Sequence, residues 1–452
     1  MRFMVDSSWW RRSATTGETL VAGSPLRVMR LDARASRLLD TLENESDIAD
    51  ASPSLIARLL DNGAIHPIVD TRAEHRFECS DVSVVIPVHD ERHHEVAELV
   101  RSLISASRVI VVDDGSAIPL APVPGAEIVR RDTAGGPGAA RNTGLAMVDT
   151  ALVLFVDADV IWNPDAWAGL LAHFDDANVG AVAPRVTSNP GPSLLERYER
   201  TSSPLDLGAE SARVRLGTRV SYVPAATIMI RTDALRSVGG FDESLRFGED
   251  VDLVWRLDAS GVRCRYEADV VVVHRPRSSL MAAWRQRMSY GSAAAGLDAR
   301  HRGAVAPLRL NRWSATAWTL VASGHALWGV GTAMASTALL MRKLNTVGDR
   351  LPIAVRLAGR GNLHAGRLIA SALTRTWWPI TFVACLLSRR ARRVAAVAAV
   401  VPNLMTWWST RPDVDPMRFV LMRVADDVAY GSGVWKGALE QRDAGALLPT
   451  LD

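Results

Sequence analysis

Between residues 81 and 160 the apolar positions fall into short unbroken runs, and between the runs they recur at helical spacing. Val82-Ser83-Val84-Val85-Ile86-Pro87-Val88, Val109-Ile110-Val111-Val112, Ala126 to Arg130 and Leu152-Val153-Leu154-Phe155-Val156 are short and mostly β-branched. Such runs predict strands buried on both faces. Val96, Leu99, Val100, Leu103 and Ile104 predict a helix after the first of them. Strands alternating with helices predict an α/β fold with a doubly wound, mostly parallel sheet. Further strands are expected at Val179 to Pro184, Val220 to Ile230 and Val270 to Val273, the last closing on His274. A polar, arginine-rich loop is expected from Leu194 to Thr218.

The flanks follow other patterns. In residues 1–78, Leu31, Ala35, Leu38, Leu39 and Leu42 recur at helical spacing, as do Leu55, Ile56, Leu59 and Leu60. Ser52-Pro53 and Asn62-Gly63 bracket the second helix as start and stop signals, and Ala64 to Ile68 reads as a short strand. Helix, helix and strand predict either a small winged-helix-like domain or a structural cap. Residues 79–300 would form the α/β domain, and 301–452 an apolar helical region. There, Trp313 to Met341 has His325 as its one ionisable side chain and is long enough to span a bilayer. Leu368 to Ser388 is interrupted by Arg375, Val394 to Trp408 contains Pro402, and arginines flank each segment. Trp377-Trp378 and Trp407-Trp408 suit a membrane interface. The expectation is membrane association with no fixed span count.

Composition changes this picture little. A net charge of +3 with 22% charged residues gives no field that would attract nucleic acid. Cys79, Cys264 and Cys385 are odd in number and lack CxxC spacing, which predicts a reducing compartment and no zinc site. No apolar signal segment follows the N-terminus, so the chemistry is expected on the cytoplasmic face of the cell membrane.

The candidate chemistry lies at the strand ends. Three strands run into acids: His89-Asp90-Glu91, Asp113-Asp114-Gly115-Ser116 and Asp157-Ala158-Asp159. In open α/β sheets the carboxyl ends of strands open on the ligand crevice. Asp-x-Asp there can present hard oxygens to a divalent ion that in turn holds phosphates. Ala134 to Gly144 is a glycine-rich turn opening a helix whose N–H groups can meet an anion, yet it fits neither a Walker A loop nor GxGxxG. Gly248-Glu249-Asp250 places acids at another helix start, where the helix dipole favours them.

With these residues in view, the chain resembles the family 2 glycosyltransferases of the GT-A fold over roughly residues 81–290. The resemblance rests on an ordered set: Val85-Ile86-Pro87 with Asp90-Glu91, Val112 to Ser116, Gly138 to Gly144 with Arg141-Asn142, Asp157-Ala158-Asp159, and Gly240-Phe241-Asp242-Glu243 before Glu249-Asp250. It implies a nucleotide-sugar donor bound by Pro87, Glu91, Asp113, Asp114 and Arg141, with Asp157 on the sugar or ribose. It implies Asp159 as ligand to Mg²⁺ or Mn²⁺ on the diphosphate and Asp250 as general base for inverting attack. Glu249, Trp255 and Arg256 would stand on the acceptor side. His274 lies where some GT-A enzymes supply another metal ligand, although a histidine closing a strand also serves structure. Trp284 to Gly291 departs from the Gln-x-x-Arg-Trp of processive synthases, which argues against threading a long polymer.

The whole arrangement also resembles the glycosyltransferases of the mycofactocin system, and the N-terminal block is similar to PqqD-like peptide-binding domains. That resemblance implies UDP-glucose as donor, a β-1,4-linked glucose product, and a peptide-derived redox cofactor or its precursor peptide as acceptor. Two other readings remain open: a transferase extending a lipid-linked or cell-wall glycan, and an inactive membrane scaffold that binds nucleotide sugar.

Overall fold

A computed structural model of the chain describes residues 2–14, 17–43, 52–90, 93–277, 279–345 and 347–451. The central sheet is assembled from β1 (Val82–Val88), β2 (Arg108–Asp113), β3 (Glu127–Arg130), β4 (Leu152–Val156), β5 (Val160–Ile161), β6 (Val179–Ser188), β7 (Ala212–Val214), β8 (Thr227–Arg231) and β9 (Arg263–His274). Their order is β5-β9-β6-β8-β4-β1-β2-β3, with β7 added to β9. Every residue of β4 is buried, as five consecutive apolar side chains require of a strand covered on both faces.

The expected parallel sheet is instead mixed. Strands β1 to β4 pair in parallel with one another, as do β6 and β9. But β8 runs antiparallel between β4 and β6, and β5 and β7 run antiparallel to β9. Apolar runs report burial and not direction, so β8 could not be oriented from its sequence. The helices that bear on the site are α1 (His93–Ser102), α2 (Pro137–Leu145), α3 (Glu249–Ala259), α4 (Leu280–Arg300) and α5 (Pro416–Gln441). Part of the stretch expected as a loop is ordered structure: Leu194–Ser202 is a helix, opened by a reciprocal Ser193–Glu196 capping box, and β7 follows it.

At the N-terminus the two expected helices, Ala33–Glu43 and Pro53–Asp61, precede the strand Ile65–Ile68. Four strands also come before them, which the helical spacing did not reveal. Trp10–Ala14, Gly17–Ala22 and Arg27–Leu31 form an antiparallel meander, and Arg2–Val5 pairs with Ile65–Ile68. Arg11, Arg12, Arg27 and Arg30 fall inside these short strands and obscure their alternation. Phe3, Leu20, Leu39, Leu42, Leu59 and Ile65 pack into a core separate from that of the sheet.

The C-terminal region corrects the membrane expectation and the localisation that followed from it. Among the described residues, no helix is long and apolar enough to cross a membrane. The uncharged stretch from Trp313 is divided at Gly324 (φ +88°) into helices Arg312–Ala322 and Ala326–Lys343. The next apolar stretch is likewise divided between Arg350–Thr374 and Trp378–Leu387. Helix α5 lies tightly along α4. A Cβ added at Gly433 would sit 1.9 Å from the Met288 carbonyl oxygen, and one at Gly291 would sit 2.0 Å from that of Tyr430.

Candidate active site

Strand β4 ends where the sheet opens. Val160 N–H donates to the Asp157 carbonyl in a tight turn, and β5 then pairs Val160 with His274 at the end of β9. That register brings Asp159 Oδ2 to 3.0 Å from His274 Nε2, with Arg277 Nη1 at 3.7 Å from the same oxygen. Burial alone would raise the Asp159 pKa, but the His274 hydrogen bond and charge, with Arg277, bring it below the usual carboxylate range. Burial works against charge on His274 as well, and Asp159 overcomes it to raise the imidazole. A carboxylate oxygen and an imidazole nitrogen suit Mn²⁺. No group of three or more His, Cys, Asp or Glu forms a metal cage among the described residues. A two-donor set fits an ion shared with a ligand's phosphates, as hard divalent ions commonly are.

Asp157 points elsewhere. Arg141, on α2 and only 3% exposed, donates from Nη2 to Asp157 Oδ1 at 2.7 Å and from Nη1 to Glu249 Oε1 at 2.8 Å. Its guanidinium lies 5.3 Å from the centre of the Phe241 ring. Arg141 and Glu249 were expected on donor and acceptor respectively. The structure pairs them with each other, bridging α2, the β4 end and the start of α3. Burial, and then the adjacent Asp250 charge, push Glu249 up to about 7. Burial raises Asp157 too, against the pull of Arg141.

Asp157 and Asp250 meet at one dipeptide. The Asp157 N–H donates to the Ala226 carbonyl at 2.9 Å, and the Ala225 N–H donates to Asp250 Oδ2 at 3.2 Å. Ala225 and Ala226 immediately precede β8, so the antiparallel pairing of β8 with β4 is what brings the α3 acid beside the β4 acids. The other Asp250 oxygen accepts from Val251 N–H, and the side chain is half-buried.

Around Asp250 stand residues that the sequence reading missed. Tyr222 is pushed up to about 12 by burial and then by the Asp250 charge, and it also feels Tyr430 and Arg375. Tyr290, on α4, accepts from Gln286 Nε2 at 2.8 Å and is raised by burial, with Asp250 among the nearby charges. Arg375 lies 3.6 Å over the Tyr430 ring. The chain has five tyrosines, and three of them gather here from the β8 loop, α4 and α5. Their scarcity was the one available sequence signal, because their separations of 68 and 140 residues carry no motif.

The remaining expected donor residues lie along the β1 and β2 ends. Pro87 is half-buried in β1, in register with Val112, and Glu91 falls outside the described residues. Asp113 is 1% exposed and pairs with Arg130 while accepting from Ser116 and Leu120 N–H. Burial opposes its charge, yet these partners hold it at about 2. Asp114 accepts from Gly135 and Gly136 N–H and pairs with Arg131. The glycine-rich turn expected to meet a ligand anion therefore directs these two N–H groups at an internal carboxylate. The two other residues expected on the acceptor side, Trp255 and Arg256, have partners within the chain. Trp255 donates to the Ser221 carbonyl and packs on Leu245, Ala293 and Leu297. Arg256 is held by Asp252 and the carbonyls of Val238 and Gly240.

Comparison with known proteins bears on this geometry. Residues 83–239 match the family described as Glycosyl transferase family 2. The chain is 38% identical over 453 residues to the pre-mycofactocin glycosyltransferase of Mycobacterium tuberculosis, covering 96% of this chain and 95% of that one. It is 29% identical over 216 residues to the succinoglycan biosynthesis protein ExoU of Rhizobium meliloti, covering 42% of this chain and 62% of that one. A solved mannosyltransferase of Pyrobaculum calidifontis, in complex with GDP-Man and Mn²⁺, aligns with 82% of this chain and 90% of its own at 17% identity, with a TM-score of 0.39. That score is too low to fix the fold. Near-complete coverage at 38% identity, on a sheet whose strand ends carry the expected acids, makes this chain a member of glycosyl transferase family 2, a glycosyltransferase of GT-A type.

Proposed function

We propose that the chain transfers glucose from UDP-glucose to a hydroxyl of a peptide-derived redox cofactor or its precursor, forming a β-1,4 link with inversion. The observation that supports this best is the shared anchoring of Asp157 and Asp250 on Ala225-Ala226, with Asp159 and His274 one turn away. It supports an acid beside a site suited to a diphosphate. Asp159 and His274 would hold Mn²⁺ or Mg²⁺, and the ion supplies Lewis-acid neutralisation of the leaving diphosphate. Asp250 takes the acceptor proton at its carboxylate as the hydroxyl attacks the anomeric carbon. Arg141, locked between Asp157 and Glu249, fixes the spacing of the two sides. The acceptor is read from the relative's activity and from the tyrosine-lined side of Asp250, where rings can cover a small organic molecule. Residues 1–78, 79–300 and 301–452 are proposed as recognition, transferase and helical units, the first taking the peptide-derived part of the acceptor.

The test is incubation with UDP-glucose, Mn²⁺ and a hydroxyl-bearing product of the precursor peptide, with the product read by mass and anomeric NMR coupling. A β-glucoside is expected. An α-glucoside would remove the base role of Asp250, and transfer from GDP-mannose alone would remove the donor assignment.

A further inference from the structure

A cavity of about 400 Å³ lies where the N-terminal unit meets the sheet. Phe3, Leu60 and Ile68 line it from one side and Ala172 and Val179 from the other, with Arg265 among its walls. Arg265 sits near the start of β9 and His274 at its end. Nine strand residues at about 3.3 Å each separate them, so the cavity is roughly 25–30 Å from the transfer site.

Arg265 differs from the other buried arginines. Arg141 pairs with Asp157 and Glu249, Arg213 with Asp258, Arg263 with Asp61 and Asp176, and Arg287 with Glu199. Arg265 is 2% exposed; its Nε lacks a hydrogen-bond partner, as do those of Arg141 and Arg213, but its Nη2 meets the ring nitrogen of His66 at 3.3 Å and not a carboxylate. Among the described residues no carboxylate lies within ion-pair distance of it. Glu267 is taken by His173 and Ser211, and Asp176 by Arg263. Burial pulls the guanidinium down to about 10. A buried cation without a counter-ion is costly, and here it borders an open volume.

We propose that this cavity binds the carboxylate of a small organic acid with an apolar body, seated on the Arg265 guanidinium. The planar fork of arginine matches a carboxylate with two parallel hydrogen bonds. The apolar walls select a body of a few carbons over a bare inorganic anion, and the volume falls within the range of small-molecule sites. Arg2 also lines the cavity, while Asp70, Asp175 and Asp176 repel anions and disfavour a dianion such as a phosphate monoester more than a monocarboxylate. The acid is either a free small molecule or the end of a peptide chain. The proposal is independent of the sugar-transfer reading.

The test uses the full chain, with melting and calorimetric titration against N-acetyl-leucine and N-acetyl-leucinamide. A hexapeptide ending in leucine is added as free acid and as amide. Melting should rise with an acid and not with its amide. A response to N-acetyl-leucine assigns a free acid, and a response to the peptide acid alone assigns a chain end. Arg265→Met should weaken acid binding by at least ~10-fold, as loss of a charge-assisted hydrogen-bonding partner does, and should raise the melting temperature of the ligand-free chain. Equal response to acid and amide, a matching response to inorganic phosphate, or no response to either acid overturns the proposal. So does unchanged acid affinity in Arg265→Met. Should that variant not fold, Ala172→Phe fills the cavity while leaving Arg265 in place; retained acid affinity there overturns the proposal, and lost affinity supports it. Donor hydrolysis should stay at the wild-type level in Ala172→Phe, so failure here leaves the transfer reading untouched.

Discussion

The ends of the sheet strands and the helices between 312 and 410 use apolar residues in opposite ways. In β1, β2 and β4 nearly every apolar side chain is buried, and each strand delivers polar groups to one edge. In the helices, Leu327 is 88% exposed, Trp328 73% and Leu387 83%, and the helix Trp378–Leu387 buries none of its residues. Apolar content is thus not a measure of burial. What separates the regions is whether hydrogen-bonded neighbours on both sides force a continuous run inward. The proposed site follows the same division: Asp157 and Asp159 stand at the end of β4, and Arg375 and Tyr430 bring the C-terminal helices toward Asp250.

The largest effects should come from the edge. Asp250→Asn should lose ~10²–10⁴ in turnover, the size of a general-base contribution, with donor binding nearly unchanged. Glu249→Gln should lose less, because the Glu249 carboxylate is engaged by Arg141. Asp159→Asn should make nucleotide-sugar binding insensitive to Mn²⁺, measured by titration with and without chelator. Full wild-type activity in excess chelator would remove the metal role.

Next in size are changes that test burial itself. Phe155→Ala should cost ~3–5 kcal/mol by denaturant melts, since Phe155 is fully buried and contacts Phe241 edge-on. Gly433→Val forces α5 off α4 and should cost ~1–3 kcal/mol as overpacking. It should also raise acceptor KM more than donor KM, because Tyr430 rides on α5. Equal changes in both would separate α5 from the acceptor side.

What the sequence disclosed follows from the same contrast. The strands and their acidic ends were legible because five buried residues in a row have few other fates. The meeting of Asp157 with Asp250 was not, since it depends on the antiparallel insertion of β8 and on backbone groups of Ala225 and Ala226 that no side-chain pattern encodes. The ion pairs of Arg141 were not legible for a related reason: its two carboxylate partners lie 16 and 108 residues away. The membrane-association expectation failed because an uncharged stretch meets the length requirement whether or not the helix breaks, and Gly324 breaks it.

A smaller, pH-dependent effect distinguishes the buried acids from one another. Asp113 and Glu267 are each held at about 2 in the folded chain, below the ordinary 3.8 and 4.5. Their stabilisation is fully present above the ordinary values and is lost as pH falls from about 4.5 to about 2. Glu249 has the opposite sign. Its folded value near 7 exceeds 4.5, so the native state holds the extra proton, and stability declines as pH rises from about 4.5 to about 7. Urea midpoints across pH 3–8 should show a shallow maximum, and Glu249→Gln should flatten its upper side. A decline above pH 5 that persists in Glu249→Gln would assign it to another group.

The smallest effect is expected where hydrophobicity is highest at the surface. Trp328, in the helix Ala326–Lys343, keeps 73% of its surface exposed, so truncation removes little that folding had buried. Trp328→Ala should change stability by no more than ~0.5 kcal/mol, the usual range for a surface site. Leu327→Ser on the same helix should behave alike, at 88% exposure. Phe155→Ala, at the other extreme, removes a side chain of similar bulk from a site with no solvent access. The two truncations, measured by the same denaturant melt, should therefore differ by ~2.5 kcal/mol or more. If Trp328→Ala instead costs as much as Phe155→Ala, the tryptophan is covered in solution, and the contrast between edge and helices fails at that residue.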